Sequence, residues 1–240
     1  MSAMDLFIAS VLVAVGAIVQ GSIGFGMALV AAPLLALLDP RLVPGPLILA
    51  GVPLVVLIGW RERGALVLRG LGWPIVGQLA GTVVALGVLQ WADRATLSAV
   101  IGGVILLAVV FSLVGTPPRP TGRNLAAAGT LAGFMGTTSS IPGPPLALVH
   151  QHVGAARLRA TLVPFFLVGS FFSLSALALA GRLGRAEFEA SAALLPGIVL
   201  GFALSSCVAE RIDARRLRGG VLLISALGAC VLIFRSLQAM

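Results

Sequence analysis

The stretch GTTSSIPGPPLALV (Gly136–Val149) places four consecutive hydroxyl side chains and three prolines inside a run without charge. Proline removes a backbone donor and clashes with the preceding turn, so a continuous helix through this stretch is unfavourable. The surrounding run extends from Asn124 to Ala156 and would reach about 50 Å as one helix. Since the hydrocarbon core of a bilayer is about 30 Å thick, the run predicts a helix that breaks within the membrane.

An earlier charge-free run, Leu6–Leu38, has the same design and is interrupted by QGSIGFG (Gln20–Gly26). The arms on either side, Leu6–Val19 and Met27–Leu38, would be about 18 to 21 Å long as helices, which is short for a full crossing. We therefore predict two re-entrant hairpins, each with its tip near the middle of the bilayer. Two short, strongly tilted crossings in place of each hairpin are the alternative.

The composition of the whole chain indicates an integral membrane protein. Of its 240 residues, 59% are hydrophobic and 10% are charged, whereas soluble proteins carry about 25% charged residues. Six further charge-free runs have roughly the length of single crossings. These runs are Leu42–Trp60, Gly70–Ala92, Ala95–Pro118, Ala160–Gly181, Ala190–Ala209 and Gly219–Phe234. We predict an all-α polytopic membrane protein with about eight membrane elements, whose net charge of +8 comes from arginines that flank the membrane segments.

The two halves of the chain resemble each other. A shift of 112 positions matches Gly21 with Gly133, Gly24 with Gly136 and Pro33 with Pro145. Further along, a shift of 120 matches Gly77 with Gly197 and Asp93 with Asp213. We predict one membrane domain with a first repeat over residues 1–115, a proline-rich linker over 116–124 and a second repeat over 125–240. Each repeat would hold one broken hairpin and three transmembrane helices, and this odd number of crossings would invert the repeats relative to each other.

The arginines predict how the chain sits in the membrane. With a hairpin for each long run, eleven of the sixteen basic residues, all arginine, fall on one side and five on the other. One crossing for each long run would divide them equally. Because cytoplasmic loops carry an excess of basic residues, the first arrangement is favoured. It places both termini on the periplasmic or extracellular side.

The helix breaks also predict where a ligand would bind. Inverted repeats with discontinuous helices are a known transporter design, in which helix ends hold the substrate near the midplane. Helices that begin near Met27 and near Pro145 would direct free N–H groups and positive dipole ends toward an anion. No arginine occurs in the sequence of either tip, so loose binding through uncharged donors is expected. The predicted substrate-binding residues are Gln20, Gly21, Ser22, Gly24, Phe25, Gly26, Gln78, Thr137, Thr138, Ser139, Ser140 and Gly143.

Plain helix packing is the alternative for these small and polar residues, because they also serve helix–helix contacts in membranes. Cys207 and Cys230 have no CxxC spacing, and both are predicted to be small buried hydrophobic residues. His150 and His152 lie near the predicted inner edge, where a proton role is the less favoured of two interpretations. The sequence predicts no catalytic residue, metal site or cofactor.

Three motifs recur in the chain: GSIGFGMALVAAPLLALL in the first half, GFMGTTSSIPGPPLALV in the second, and GQLAG…D…L echoed by GIVLG…D…L. These motifs resemble those of the TauE/SafE-type sulfite exporter family. The resemblance covers almost the whole chain. It implies a bacterial inner-membrane carrier for small anions, with sulfite and organosulfonates among the substrates associated with members. The second tip differs, since many members are richer in glycine where this chain has TTSSIPGP.

The predicted function is therefore secondary transport, with export of sulfite, an organosulfonate or a related sulfur-containing or carboxylate anion. The membrane potential would drive an anion outward with about 2.3 kcal/mol per charge per 100 mV. The expected partners are the anion and the lipid bilayer, without nucleic acid, and a homodimer is left open. An anion channel and a non-transporting structural or assembly protein are the alternatives.

Overall fold

The computed structural model describes residues 3–66, 70–113, 118–150, 153–211 and 214–239. Within those ranges the chain forms ten α-helices and two short 3-10 segments, without a strand. The helices are α1 (Ala3–Ile23), α2 (Met27–Leu38), α3 (Gly45–Arg61), α4 (Gly72–Trp91), α5 (Arg94–Leu113), α6 (Gly122–Ser139), α7 (Gly143–Val149), α8 (Ala155–Leu179), α9 (Arg185–Arg211) and α10 (Ala214–Ala239). The 3-10 segments are Pro40–Leu42 and Arg63–Ala65. His152, Asp213 and residues 116–117 of the predicted linker lie outside the described residues.

Six of the described helices are long and apolar enough to cross a membrane: α1, α4, α5, α8, α9 and α10. Helices α2 and α3 are apolar but shorter. Large apolar side chains remain exposed on the outer faces, such as Val83 on α4 and Leu200 on α9, which are 60% and 61% exposed. A bilayer would cover such a surface. The chain is thus an all-helical, multi-pass membrane protein, as the composition predicts.

The two long charge-free runs each form a long helix followed by a short one. The predicted bounds of the second arm, Met27–Leu38, are confirmed as α2. The predicted first arm, Leu6–Val19, is wrong, because α1 extends from Ala3 to Ile23 and measures about 31 Å. In the second run, α6 has 18 residues and α7 only 7. The expected pairs of equally short arms are therefore corrected to one long and one short helix in each run.

The first break, between α1 and α2, depends on two glycines. Gly24 and Gly26 have φ angles of +103° and +121°, a region that residues with a Cβ rarely adopt. The Gly24 N–H still donates to the Gln20 carbonyl at 2.7 Å, so the helical hydrogen bonding ends only there. The chain can then reverse and begin α2 at Met27.

The second break, between α6 and α7, depends on a helix cap and on proline. Ser140 adopts the left-handed conformation with φ 65°, its N–H donates to the Gly136 carbonyl, and the Ile141 N–H donates to Met135. Both bonds satisfy carbonyls at the end of α6. Helix α7 begins at Gly143, and its first turn contains prolines, whose missing N–H groups cost nothing there. The helix predicted to begin near Pro145 thus begins two residues earlier, and Pro145 lies within its first turn.

The core helices pair closely at glycines. Helix α1 packs on α9, α6 packs on α4, α3 on α8, and α5 on α10. A Cβ at Gly77 of α4 would overlap the Ala126 carbonyl oxygen of α6, and one at Gly201 of α9 would overlap that of Ala14 in α1. Backbones in contact at this distance maximise dispersion, the main attraction between helices in lipid.

Both cysteines are exposed, so the prediction that they are buried is wrong. Cys207 lies on α9 and Cys230 on α10, and each is exposed on the protein surface. In a membrane protein the outer face is as apolar as the core, because lipid tails are the solvent. An apolar run around a cysteine therefore does not distinguish the inside of the bundle from its lipid-facing surface.

Candidate functional site

A cavity of about 60 Å³ lies where the two helix breaks meet. Its walls come from both breaks and from α3, α4, α6 and α8. The Cβ atom of Phe25, in the first break, lies so close to Gly143 in the second that a Cβ on Gly143 would be 2.7 Å from it. One water needs about 10–15 Å³ of such space, so the cavity can hold a few waters or one small ion.

Half of the predicted binding residues line this cavity. The lining ones are Gln20, Phe25, Gly26, Gln78, Ser140 and Gly143. The others, which are not among the residues that line it, are Gly21, Ser22, Gly24, Thr137, Thr138 and Ser139. Two lining hydroxyls were not predicted from the sequence, Ser170 and Ser173 of α8. Both lie in an apolar helix with the pattern of a simple crossing, so the sequence carried no signal for them.

The hydroxyls of the second tip mostly bond to the protein itself. Thr138 and Ser139 donate to the carbonyls four residues earlier in α6, at 2.8 and 2.7 Å. Thr137 bonds to Ser173 at 2.8 Å, and Ser140 donates to the Pro44 carbonyl at 3.0 Å. These bonds anchor the second break to α8 and to the start of α3. The row of hydroxyls is therefore largely occupied as structural hydrogen bonds.

The first tip directs the start of α2 at the cavity. The Met27 N–H donates to Gln20 Oε1 at 3.2 Å, and helical bonding begins with the Val30 N–H to the Gly26 carbonyl. Ala28 and Leu29, which also line the cavity, carry the N–H groups that precede this first helical bond. Gly26 at the N-cap provides no side chain to satisfy them. The cavity therefore borders on backbone donors and the positive end of a helix dipole.

Gln78 of α4 contributes a polar group of the opposite kind. Its side chain is buried, at 1% exposure, and its Nε2 donates to the Phe165 carbonyl of α8 at 3.2 Å. Its Oε1 has no hydrogen-bond partner among the residues that the structure describes. Gly169 of α8 makes room for this amide, since a Cβ there would overlap Nε2.

A family comparison shows which kind of membrane protein contains this cavity. The family model described as Sulfite exporter TauE/SafE matches residues 8–232. The chain belongs to this family. No curated protein and no solved structure matches it. The resemblance found in the sequence motifs is thereby confirmed, and TauE/SafE membership implies membrane transport of the sulfite or anion exporter type.

Two arginines contact the first tip of this TauE/SafE protein, although none occurs in the sequence of the tip. Arg61, at the end of α3, donates to the Gly21 carbonyl and, at 2.9 Å, to Ser205 of α9. Arg159, in α8, donates to the Ser22 carbonyl at 2.9 Å. Both guanidinium groups thus meet the last carbonyls of α1, where the helix dipole is negative. Neither arginine is among the residues that line the cavity.

Glu62 joins the two arginines into one cluster. Its Oε1 lies 2.7 Å from Arg159 Nε and 3.3 Å from Arg61 Nε. The three side chains are between 12% and 24% exposed. The cluster therefore connects the end of α1 with α3, α8 and α9. The sequence places all three residues in flanking segments, so only the fold reveals that they surround the tip.

We expect Glu62→Gln to lower the free energy of unfolding by about 1–3 kcal/mol, because two neighbouring guanidinium groups lose their shared carboxylate. Glu189→Gln is the matched control, since Glu189 pairs with Arg185 through side chains that are 64% and 92% exposed. Such an exposed pair contributes about 0.5 kcal/mol or less. Thermal unfolding of both variants in the same detergent measures the difference. Equal losses would contradict a special role for the Glu62 cluster.

Proposed function

We propose that the chain exports a small anion across the bacterial inner membrane and binds it in the cavity between the two helix breaks. Sulfite, an organosulfonate or a related sulfur-containing or carboxylate anion fits this role. The observation that carries the proposal is the start of α2, where Ala28 and Leu29, which precede the first helical hydrogen bond from Val30 to Gly26, line the cavity together with residues of the second break. Family membership supports transport, and the helix terminus supports a negatively charged substrate.

The cavity is suited to binding that is easily reversed. No charged side chain is among its lining residues, so an anion would be held by N–H groups, hydroxyls and a helix dipole. Hydrogen bonds to a charged group contribute about 1.5–3 kcal/mol each. A few of them offset the cost of several kcal/mol for removing an ion from water, without the deep binding that a buried arginine would cause.

Two inverted repeats would explain the arrangement of the helices. In such repeats α1 to α5 would correspond, in order, to α6 to α10. The contact of α1 with α9 then corresponds to the contact of α6 with α4, and the contacts α3–α8 and α5–α10 each join a helix to its own equivalent. The glycine contacts follow the same exchange, with Gly77 against Ala126 and Gly201 against Ala14. Gly197 against Ser10 corresponds to Gly122 against Trp73. These pairs support two repeats with the second beginning at Gly122, where α6 starts, so that the last three residues of the predicted linker 116–124 belong to the repeat and not to the connection.

The glycine contacts also favour a different register for the fourth helix of each repeat. They relate α4 to α9 by a shift of 124 positions, since Gly77 would correspond to Gly201. The sequence match uses a shift of 120, which differs by about one helical turn. Glycine at four-residue spacing in both helices explains why the sequence alone selects the neighbouring turn.

The proposed orientation places the cluster of Arg61, Glu62 and Arg159 on the cytoplasmic side and both termini on the periplasmic side. The excess of arginine on that side supports it. An anion leaving a negative cytoplasm would meet the two guanidinium groups before it reached the cavity. Export would then follow the membrane potential without a coupling ion.

Efflux of radiolabelled sulfite from proteoliposomes tests the proposal, with Ser170→Leu as the blocking variant. Ser170 lines the cavity, so a leucine there should fill much of the space and reduce efflux at least tenfold. Ser175→Leu is the control on the same helix, because Ser175 is exposed and bonds only to the Phe171 carbonyl among its described contacts. It should retain the efflux rate of the unmodified protein.

Three results would count against the proposal. Equal efflux in both variants would show that the transported anion does not pass through the cavity. Single-channel currents would show that the protein is a channel and not a carrier. An absence of efflux for sulfite, methanesulfonate and acetate in the unmodified protein would contradict transport of these anions altogether.

A further inference from the structure

We infer that the anion bound in the cavity carries an O–H or N–H group, which donates a hydrogen bond to Gln78 Oε1. The inference rests on the proposed function and specifies the substrate: an anion with an O–H or N–H group, such as a hydrogen oxyanion, in preference to a fully deprotonated one. It follows from the hydrogen bonding of a single buried amide.

The orientation of the Gln78 amide is fixed by its neighbour. The Phe165 carbonyl can only accept a hydrogen bond, so the amide end that faces it at 3.2 Å must be the N–H donor. The other end is therefore the oxygen, a pure acceptor. Gln78 is 1% exposed and lines the cavity, and its Oε1 lacks a partner among the described residues.

Two helices hold this amide in place. Gly169 of α8 leaves the space that Nε2 occupies, and Gly133 of α6 lies directly against the Gln78 backbone carbonyl. A rotation that brought Nε2 into the cavity would break the bond to Phe165 and place two acceptor oxygens against each other. Packing and the bond to Phe165 therefore fix the orientation of the Gln78 amide, with Oε1 as the free acceptor among the described residues.

The residues that line the cavity thus include the start of α2, with its backbone donors, and Gln78, whose amide oxygen is an acceptor without a described partner. The N–H groups at the start of α2 suit anionic oxygens, whereas Gln78 Oε1 would face a lone pair if the substrate had no proton. Sites built for a substrate hydrogen bond discriminate strongly against analogues that cannot make it, because their buried polar group is then left unpaired. A monoanion that bears a proton satisfies both groups.

The test uses sulfite, whose second ionisation lies near neutral pH, and methanesulfonate, a monoanion that has no O–H or N–H at any of these pH values. If only hydrogen sulfite binds, the apparent affinity of total sulfite, measured by competition for efflux, should fall about tenfold for each pH unit above that ionisation. Competition by methanesulfonate reports the titration of the protein itself. No titratable side chain is among the lining residues. The described titratable groups around the site are His150, whose ring centre lies 6.1 Å from that of Phe165, and the cluster of Arg61, Glu62 and Arg159 at the end of α1.

Gln78→Leu supplies the second measurement. Removing the acceptor should weaken competition by hydrogen sulfite at least about tenfold, while competition by methanesulfonate changes less than about threefold. Gln90→Leu is the matched control, because Gln90 is an exposed glutamine of the same helix. It should behave as the unmodified protein.

The outcomes separate this inference from the proposed function. Sulfite competition that is constant or stronger at high pH in the unmodified protein would overturn the inference and leave anion export standing, even if Gln78→Leu fails to fold. Equal losses for both anions in Gln78→Leu would also overturn it. If neither anion competes or is transported, the inference and the proposed function fail together.

Discussion

A Gly81→Ala substitution should cause a large loss of folded protein. The new Cβ would overlap the Thr130 carbonyl oxygen of α6 and crowd the Phe134 nitrogen. Both are backbone atoms, so the strain is relieved only if α4 and α6 separate. Overpacking of this kind costs about 1–3 kcal/mol or more, and separated helices also lose the dispersion that holds them together in lipid. The yield of monodisperse protein and its melting temperature in detergent measure the effect.

Gly87→Ala is the control for this substitution. Gly87 lies on the same helix, and a Cβ there would meet nothing within 4 Å. Because alanine favours helix over glycine by about 0.5–1 kcal/mol, this variant should melt at the same temperature or slightly higher. Opposite directions for the two substitutions would verify the α4–α6 contact. Similar behaviour would refute it.

Much of the fold could be predicted from where charge is absent. A bilayer excludes unpaired charge, so charge-free runs mark the membrane segments, and their length separates a single crossing from a broken one. This reasoning placed five of the candidate spans, α4, α5, α8, α9 and α10, and found α2 at its observed bounds, Met27–Leu38. It was wrong for α3, which is shorter than the predicted crossing Leu42–Trp60, and for α1, which is long enough to span. Glycine and proline located both breaks, since they are the residues that permit positive φ or lack a donor.

The exact helix ends could not be predicted, because they depend on tertiary contacts. Helix α1 continues through Gly21 and Ser22, where the carbonyls are satisfied by Arg61 and Arg159. These arginines come from distant parts of the chain. A sequence pattern that contains glycine and serine indicates a break, but it does not reveal that donors elsewhere extend the helix to Ile23.

The candidate site was predicted in outline and not in its individual contacts. Glycine and hydroxyl composition identified the two breaks, which meet at one cavity. It could not distinguish Ser140, which lines the cavity, from Ser139, which bonds to Met135 within its own helix. The direction of a side chain depends on the helix rotation, and packing against α4 and α8 sets that rotation. Ser170 and Ser173 were missed for the same reason.

Gly24→Ala should combine two separate penalties at the first break. Its φ of +103° is unfavourable for any residue with a Cβ, at a cost of about 1–3 kcal/mol. The new Cβ would also lie 2.9 Å from Arg159 Cγ and 3.2 Å from its Cα. Relief requires Arg159 to move, and its bonds to Ser22 and Glu62 would then weaken. We expect a lower melting temperature and a loss of efflux of at least tenfold.

A series of three alanine substitutions separates these penalties. Gly70 has a φ of +83° with nothing within 4 Å of its Cβ position, and Gly64 has ordinary φ with equally open space. Melting temperatures should therefore fall in the order Gly64→Ala, Gly70→Ala, Gly24→Ala, and only the last should impair efflux. If Gly24→Ala and Gly70→Ala lose equal stability, the contact with Arg159 contributes nothing. If Gly24→Ala keeps full efflux, the shape of the first break is not required for transport, and the proposed site must lie elsewhere.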